Sequence, residues 1–361
     1  MSLGSPFVSR ELRNDKHYSQ QVIGWQVGTP QPNFRSMATS IHPRSEPSID
    51  DKILAKERAH AAGSALLQTR HEIYLGDARE MPELSAPESL HLVVTSPPYW
   101  TLKEYEGSAG ARQLGHVEEY KTFLMELDRV WRRSFDLLVP GGRLCIVVGD
   151  VCIARKKAKR HFVVPLHADI SVRCRRIGFD YLTPILWYKI ANARTEVEGN
   201  GAPFLGKPYE PNAIIKNDIE YILLFRKPGG YRSPSEEQRA LSVIDKAKHA
   251  QWFRAIWSDI PGSSREKGHP APYPEELAYR LINMFSFVGD TVLDPFLGTA
   301  STTAAAIRAN RSSIGYEVEE RYLQIAAARL EQGTFGASVS YHLGKKQPER
   351  PQSIASETSA P

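Results

Sequence analysis

Short apolar runs and amphipathic stretches alternate along the first half of the chain. The apolar runs at residues 71–75, 90–94, 143–148 and 184–189 are bounded by glycine, proline or acidic residues, which is typical of strands buried in a sheet. Residues 118–138 instead carry apolar side chains at spacings of three and four, which predicts a helix with one buried face. That face consists of Tyr120, Phe123, Leu124, Leu127, Val130, Trp131 and Phe135. We also predict a helix over residues 163–177 and a turn at 140–142.

The second half resumes this alternation after an interruption. Residues 191–211 are rich in glycine, proline and asparagine, whereas residues 218–226 again have the pattern of a strand. Pro274, followed by two acidic residues, predicts the start of a helix. We predict further strands at 291–294 and 311–317, each followed by a helix, at 304–309 and 322–330. Strands and helices in alternation indicate an α/β fold.

Polar segments at both ends flank this patterned region. We therefore divide the chain into an N-terminal extension (1–69), a first α/β half (70–190), a small insertion with a returning core strand (191–256), a second α/β half (257–331) and a tail (332–361). We expect the tail to be disordered and the extension partly so. An arm for dimerisation or a DNA clamp is the functional alternative for the extension.

Composition narrows the class of protein. The chain has 361 residues, a formal charge of +5 and a pI of about 8.9, which permits a nucleic-acid partner without requiring one. No apolar run reaches membrane-spanning length and no signal-peptide pattern follows Met1, so we expect no membrane association. Three cysteines without a Cys-x-x-Cys pair suit a reducing cytosol, and we predict neither a disulfide framework nor a metal site.

The strand at 90–94 runs into the turn Ser96-Pro97-Pro98-Tyr99. Two prolines cannot continue a central strand, so they form a rigid loop at its carboxyl end, where open α/β sheets bind ligands. The loop offers the Ser96 hydroxyl and the Pro97 carbonyl as acceptors for the two protons of an amine on a planar ring. The Tyr99 ring can stack on such a ring. By itself, the turn could equally be only a proline-rich connection.

A second motif follows the strand at 291–294. Asp294, a loop with Gly298, and the helix predicted from Ala304 would direct backbone N–H groups and a positive helix end at a ligand. The loop lacks the Gly-Lys-Ser/Thr of a P-loop and the glycine spacing of a dinucleotide site. An acid beside such a loop suits an amino acid ammonium group, and Glu317 at the end of the next strand suits the hydroxyls of a ribose.

Together these motifs resemble those of the amino-methylating DNA methyltransferases, over residues 71–190 and 212–330. Their hallmark is Asp/Asn/Ser-Pro-Pro-aromatic, and Ser96 is similar to the subset that mostly methylates cytosine N4. The Asp-type mostly methylates adenine N6. The resemblance implies S-adenosyl-L-methionine as cofactor and double-stranded DNA as substrate. It implies cofactor-binding roles for Asp77, His269, Pro270, Pro274, Asp294, Pro295, Phe296, Gly298, Thr299, Thr302 and Glu317.

The resemblance also implies the fold. It is a doubly wound, mostly parallel, Rossmann-like sheet, circularly permuted because the Pro-Pro motif precedes the cofactor motif, with a small target-recognition insertion. The chain departs from the family pattern at Thr299, Ala300 and Ser301, where Ser-Gly-Thr is usual. Because Ala300 replaces a glycine, we expect a slightly altered loop that still binds the cofactor.

A basic run follows the strand at 143–148. It contains Arg155, Lys156, Lys157, Lys159 and Arg160. Such a run is usually a solvated loop, but its place near the proposed catalytic edge makes contact with DNA phosphates an equal alternative.

We therefore predict a prokaryotic, cytoplasmic, site-specific cytosine-N4 DNA methyltransferase that flips its target base, in a restriction-modification or orphan role. A homodimer and a cognate restriction endonuclease remain open as partners. Adenine N6 is the main alternative target. A glutamine amide of a protein and a catalytically silent DNA-binding module are weaker alternatives. C5 methylation is excluded because no cysteine follows a proline.

Overall fold

The fold is built around one large sheet. The computed structural model describes residues 65–81, 87–100, 110–153, 158–189, 204–205, 211, 214–215, 217–262, 273–333 and 337–343. The strands are β1 (Arg70–Leu75), β2 (Leu90–Thr95), β3 (Leu138–Val148), β4 (Val151–Ile153), β5 (Phe162–Val164), β6 (Asp180–Tyr188), β7 (Phe204–Leu205), β8 (Ile214–Ile215), β9 (Ile219–Arg226), β10 (Ile256–Trp257), β11 (Thr291–Asp294), β12 (Ser312–Glu317) and β13 (Ser338–Leu343). The helices are α1 (Tyr120–Leu137), α2 (Leu166–Ile177), α3 (Glu236–Leu241), α4 (Lys246–Trp252), α5 (Glu275–Phe285), α6 (Ser301–Arg308) and α7 (Glu320–Gly333).

Nine strands pair in the order β10-β6-β9-β3-β2-β11-β12-β1-β13. All neighbours are parallel except β9, which runs antiparallel to both β3 and β6. At the centre, β2 lies beside β11, with Leu92 opposite Val292. The chain goes from β2 to β3 on one side and from β11 to β12 on the other, so the loops after β2 and β11 diverge. Crevices that bind ligands in open α/β sheets form at such a point.

Helices cover both faces of the sheet, so the predicted doubly wound, mostly parallel fold is confirmed. Along β2, Val93 packs with α1 and α2, whereas Leu92 and Val94 pack with α5 and α6 on the opposite face. Alternate residues of a strand point to opposite faces, which explains why a continuous apolar run was needed here. The predicted stripe of α1 is confirmed, with Trp131 fully buried.

Three local predictions were wrong. The turn expected at 140–142 is part of β3, where the register shifts and Gly141 adopts a φ of +77°. The helix expected from residue 163 begins at Leu166, because Phe162–Val164 pair with β4. The tail was expected to lack structure, but Ser338–Leu343 form β13 beside β1, where His342 stacks on Tyr74 at 4.2 Å.

Candidate active site

One cleft opens at the carboxyl ends of β2 and β11. The turn after β2 and the loop after β11 form two of its walls, and the ends of β1 and β12 form a third. The lining residues include Gly76, Asp77, Ser96, Pro97, Pro98, Tyr99, Tyr273, Pro295, Phe296, Gly298, Thr299, Ser301, Tyr316, Glu317 and Tyr322. The parallel order of the sheet therefore joins two motifs that are about two hundred residues apart in sequence.

The turn Ser96–Tyr99 lies on the β2 wall. Thr95, the last residue of β2, is fully buried, so Ser96 is the first residue of the strand end to reach the cleft. The Ser96 hydroxyl lies 3.3 Å from the Tyr99 hydroxyl, to which it donates. Ser96 and Tyr99 thus lie together on this wall, where the sequence predicted an amine-binding set.

Asp294 lies beneath the cleft rather than in it. Its carboxylate is 1% exposed and accepts hydrogen bonds from Thr95 Oγ1 (2.7 Å), the Phe296 amide (3.0 Å), Thr302 Oγ1 (2.6 Å) and the Tyr273 hydroxyl (3.2 Å). Burial raises the pKa of this carboxyl, and the donors partly offset that effect. With four donors on two oxygens, the carboxylate has little acceptor capacity left for an ammonium group.

Asp294 therefore differs from our expectation of an anion that faces the ligand. Its contacts join the end of β2, the first turn of α6 and the loop after β11. The geometry gives it the role of holding these segments together around the cleft. Thr302 shares this role, since its hydroxyl is buried against Asp294 and Tyr273.

Glu317, by contrast, lines the cleft with a carboxylate that retains acceptor capacity. One oxygen accepts the Gly298 amide (2.8 Å) and the other the Glu319 amide (2.9 Å). Burial raises the pKa of Glu317 to about 7, although these two amides and the Val318 amide act in the opposite direction. The carboxylate lines the cleft instead of lying beneath it, so it keeps acceptor capacity for the hydroxyls of a ribose.

The loop between β11 and α6 is shaped by two left-handed residues, Gly298 (φ +54°) and Ala300 (φ +63°). Ala300 takes the conformation that a glycine would adopt easily, so the loop keeps its turn despite the substitution. Gly315 on β12 lies under this loop, where an added Cβ would come within 2.5 Å of Leu297. The glycine before Glu317 therefore allows the loop to pack closely on β12.

Comparison with known proteins shows the family to which the chain belongs. A sequence model of the DNA methylase family matches residues 90–328, which is about two thirds of the chain. The chain belongs to this DNA methylase family. It is 39% identical to the Type II methyltransferase M.MjaI of Methanocaldococcus jannaschii over 293 residues, covering 73% of this chain and 92% of the relative. It is 36% identical to M.MthZI of Methanothermobacter thermautotrophicus over 285 residues, covering 74% of this chain and 78% of the relative.

Solved structures of DNA methylases share the fold of this protein. The protein TTHA0409 of Thermus thermophilus, solved in complex with S-adenosyl-L-methionine, is 50% identical, with a TM-score of 0.64 over 77% of this chain and all of that one. The cytosine-N4-specific PvuII DNA methyltransferase has a TM-score of 0.54 over 73% of this chain and 87% of that one, at 20% identity. The latter likeness concerns the fold alone.

Of the other residues predicted to bind the cofactor in this DNA methylase, some line the cleft and some do not. Asp77 lines the cleft, but Arg79 binds its carboxylate through Nε (2.9 Å) and a terminal nitrogen (2.5 Å). Asp77 also caps the short turn Ala78–Glu80, because its side chain accepts the Arg79 amide. Pro274 precedes α5 as predicted, while its neighbour Tyr273 lines the cleft. His269 and Pro270 lie outside the described residues.

The basic run lies between β4 and β5, which form a hairpin directly after β3. Arg155, Lys156 and Lys157 lie outside the described residues. Lys159 and Arg160 are exposed, and the Arg160 guanidinium lies 5.3 Å from the centre of the Phe162 ring. Exposed cations can contact DNA phosphates, and this contact stays a prediction.

Sequence reasoning missed several residues that shape the site. Tyr273 and Thr95 bind Asp294, and the Arg329 guanidinium reaches the Thr299 carbonyl at 3.2 Å. Glu220 accepts the Tyr99 hydroxyl at 2.9 Å, far from it in sequence. A polar residue inside an otherwise apolar strand, such as Glu220 at the start of β9, was the one local signal available.

Proposed function

We propose that this protein transfers a methyl group from S-adenosyl-L-methionine to the N4 amine of a cytosine flipped out of duplex DNA. The observation that carries the proposal is that Ser96, Pro97 and Tyr99 line the same cleft as Gly298 and Glu317. An amine-binding turn and a diol-binding acid thus face one space. Membership of the DNA methylase family and the Type II methyltransferase relatives support this reaction class.

The cleft residues fit the proposed cofactor. Glu317 would accept the two ribose hydroxyls, and Phe296 and Tyr316 supply apolar surface nearby for an adenine ring. The loop with Gly298 and Thr299 would face the methionine part. The cofactor supplies a methyl group activated on a sulfonium. The buried Glu317 carboxylate, which keeps acceptor capacity at the cleft, supports binding of S-adenosyl-L-methionine at this place.

The chemistry requires an amine lone pair that is free to attack. In a nucleobase this pair is delocalised into the ring, which makes the amine a poor nucleophile. Ser96 Oγ and the Pro97 carbonyl would accept hydrogen bonds from the two amine protons and favour a tetrahedral nitrogen, while Tyr99 stacks on the base. Positioning of this kind contributes strongly to catalysis. The N–C bond would form as the S–C bond of the sulfonium breaks to leave a thioether, and the methylated amine would then release one proton to solvent. No covalent bond between enzyme and base is formed, and the buried Cys145, whose thiol pKa burial raises to about 12, is unsuited to one.

We further propose that residues 191–256 read the target sequence and that the motif order is circularly permuted. This segment includes strand β9 (Ile219–Arg226). We infer that the protein acts on DNA in the prokaryotic cytosol as part of a restriction-modification system or as an orphan enzyme. Within the described residues, no helix is long and apolar enough to cross a membrane.

The base assignment is tested by its product. Duplex DNA methylated by the purified protein is digested to nucleosides and analysed by mass spectrometry. We expect N4-methylcytosine, because the Ser96 hydroxyl is a neutral acceptor, and a Ser96→Ala variant as control should lose most of the transfer. N6-methyladenine without N4-methylcytosine would refute the assignment and establish the adenine alternative.

A further inference from the structure

A partly buried ion pair lies behind the catalytic turn. Glu220 is 7% exposed, and Lys189 donates to its Oε1 at 2.5 Å. The other carboxylate oxygen, Oε2, accepts the Tyr99 hydroxyl at 2.9 Å. The two oxygens thus have different partners: one is held by a cation, and the other is directed at the turn that binds the substrate amine.

The sheet topology explains how this acid reaches the site. Because β9 is antiparallel, its first residues lie at the edge where the parallel strands end. Glu220 pairs with Trp187 on β6, which brings Lys189 within reach. On the other side, Gly149 follows β3, and a Cβ there would lie 3.3 Å from both Glu220 and Tyr99. Glycine at this position lets the two side chains approach each other.

Two hydrogen bonds of this cluster run in the same direction, and the Tyr99 hydroxyl also lies 3.4 Å from the Val147 carbonyl. Ser96 donates to the Tyr99 oxygen, and Tyr99 donates to Glu220, which can only accept when ionised. The Ser96 proton is therefore used inside the protein, and its lone pairs are free for the substrate. The first link, at 3.3 Å, is long for two hydroxyls, but such bonds often tighten only when substrate binds.

We propose that Glu220 is a positioning residue for methyl transfer: held by Lys189, it orients Tyr99 so that Ser96 presents an acceptor to the amine. This inference rests on the proposed function of the turn. Glu220 does not touch the substrate itself. A purely structural ion pair would also occupy this place, and the two roles predict different behaviour when the pair is replaced.

Two matched double variants separate these roles. Lys189→Met with Glu220→Gln removes both charges but keeps an oxygen that can accept from Tyr99. Lys189→Met with Glu220→Leu removes both charges and the acceptor. Neither leaves a buried charge without its partner, which avoids the main cause of destabilisation. Tyr99→Phe is a third variant that removes only the hydroxyl, and Tyr221→Phe, on the next residue of β9, is the control.

The measurement is the single-turnover transfer of a tritiated methyl group to duplex DNA, whichever base receives it. We expect the Leu double variant and Tyr99→Phe to lose about tenfold to a hundredfold in rate, with unchanged cofactor affinity, since small misplacements have effects of this size. The Gln double variant should stay within about threefold of wild type because its Tyr99 contact persists. The KM for DNA should change little in all of them.

Other outcomes overturn the proposal. Equal rates for the two double variants would mean that the ion pair is only structural. A wild-type rate for Tyr99→Phe would lead to the same conclusion even if a double variant failed to fold. Failure of the proposed function is distinguishable, because wild type would then transfer no methyl group to DNA. Transfer to adenine instead would refute the base assignment and leave this comparison intact.

Discussion

Cofactor binding is expected to depend on the protonation of Glu317. Its carboxylate is buried at the cleft, and burial raises its pKa to about 7 from a usual value of 4.5. Below pH 7 the free site holds a proton, which the hydroxyl donors of a ribose must displace. Affinity should therefore fall as the pH falls, by about tenfold between pH 8 and pH 6 for one displaced proton.

Glu317→Gln tests this reasoning. The amide keeps the volume but turns a donor toward the Gly298 or Glu319 amide, and it cannot ionise. Losing a charged hydrogen bond costs about 1.5–3 kcal/mol, so affinity at pH 8 should fall roughly tenfold to a hundredfold. The dependence on pH between 6 and 8 should largely disappear. Glu320→Gln, at the exposed start of α7, should behave like wild type.

Calorimetric titration of S-adenosyl-L-methionine at pH 6, 7 and 8 provides the assay. The cofactor's own amino group titrates near pH 8 and affects every variant alike, so the ratio of wild type to Glu317→Gln isolates the carboxylate. Titrations in buffers with different ionisation enthalpies give the number of protons that are released when the cofactor binds. A wild-type affinity that is flat over this range, or a variant with the wild-type slope, would refute the proposed role of Glu317.

Two further predictions concern the framework and the DNA contact. Asp294→Asn should lower the free energy of unfolding by about 1–3 kcal/mol in urea denaturation, because an amide cannot accept all four hydrogen bonds. If the variant kept its stability but lost cofactor binding, Asp294 would instead contact the cofactor directly. Replacing Lys156, Lys157 and Lys159 by Gln should reduce the log–log salt slope of DNA binding by about 0.9 per lost contact, for cognate and random duplexes alike. A wild-type slope would identify the basic run as a solvated loop.

The strands and helices that form the cleft follow closely from local sequence. The apolar run of β2 must be buried on both faces, and its two prolines must end it, so the position of Ser96 at a strand end was predictable. The helix after Pro274 and the stripe of α1 were predictable for the same reason, since period and capping are properties of a few neighbouring residues. The loop at Gly298 could also be predicted from the sequence.

The strand in the tail could not be predicted from the pattern of apolar and polar residues alone. Ser338–Leu343 have a period of two but few large apolar residues, and they form a strand because β1 offers an open edge. The bulge of β3 at Gly141 likewise depends on a backbone contact with Lys227, which directly follows β9, a partner that no local pattern reveals.

Two acids at the cleft, Asp294 and Glu317, could be identified from the sequence, whereas their roles were decided by the tertiary structure. Asp294 and Glu317 each end a strand before a turn, so the sequence presents both as cofactor ligands, Asp294 for an ammonium group and Glu317 for a ribose. In the fold, four donors from separate segments surround Asp294, while Glu317 keeps acceptor capacity at the cleft wall. Glu220 reaches Tyr99 only because β9 runs antiparallel. The chemistry of a carboxylate depends on which donors surround it, and those donors come from parts of the chain that only folding brings together.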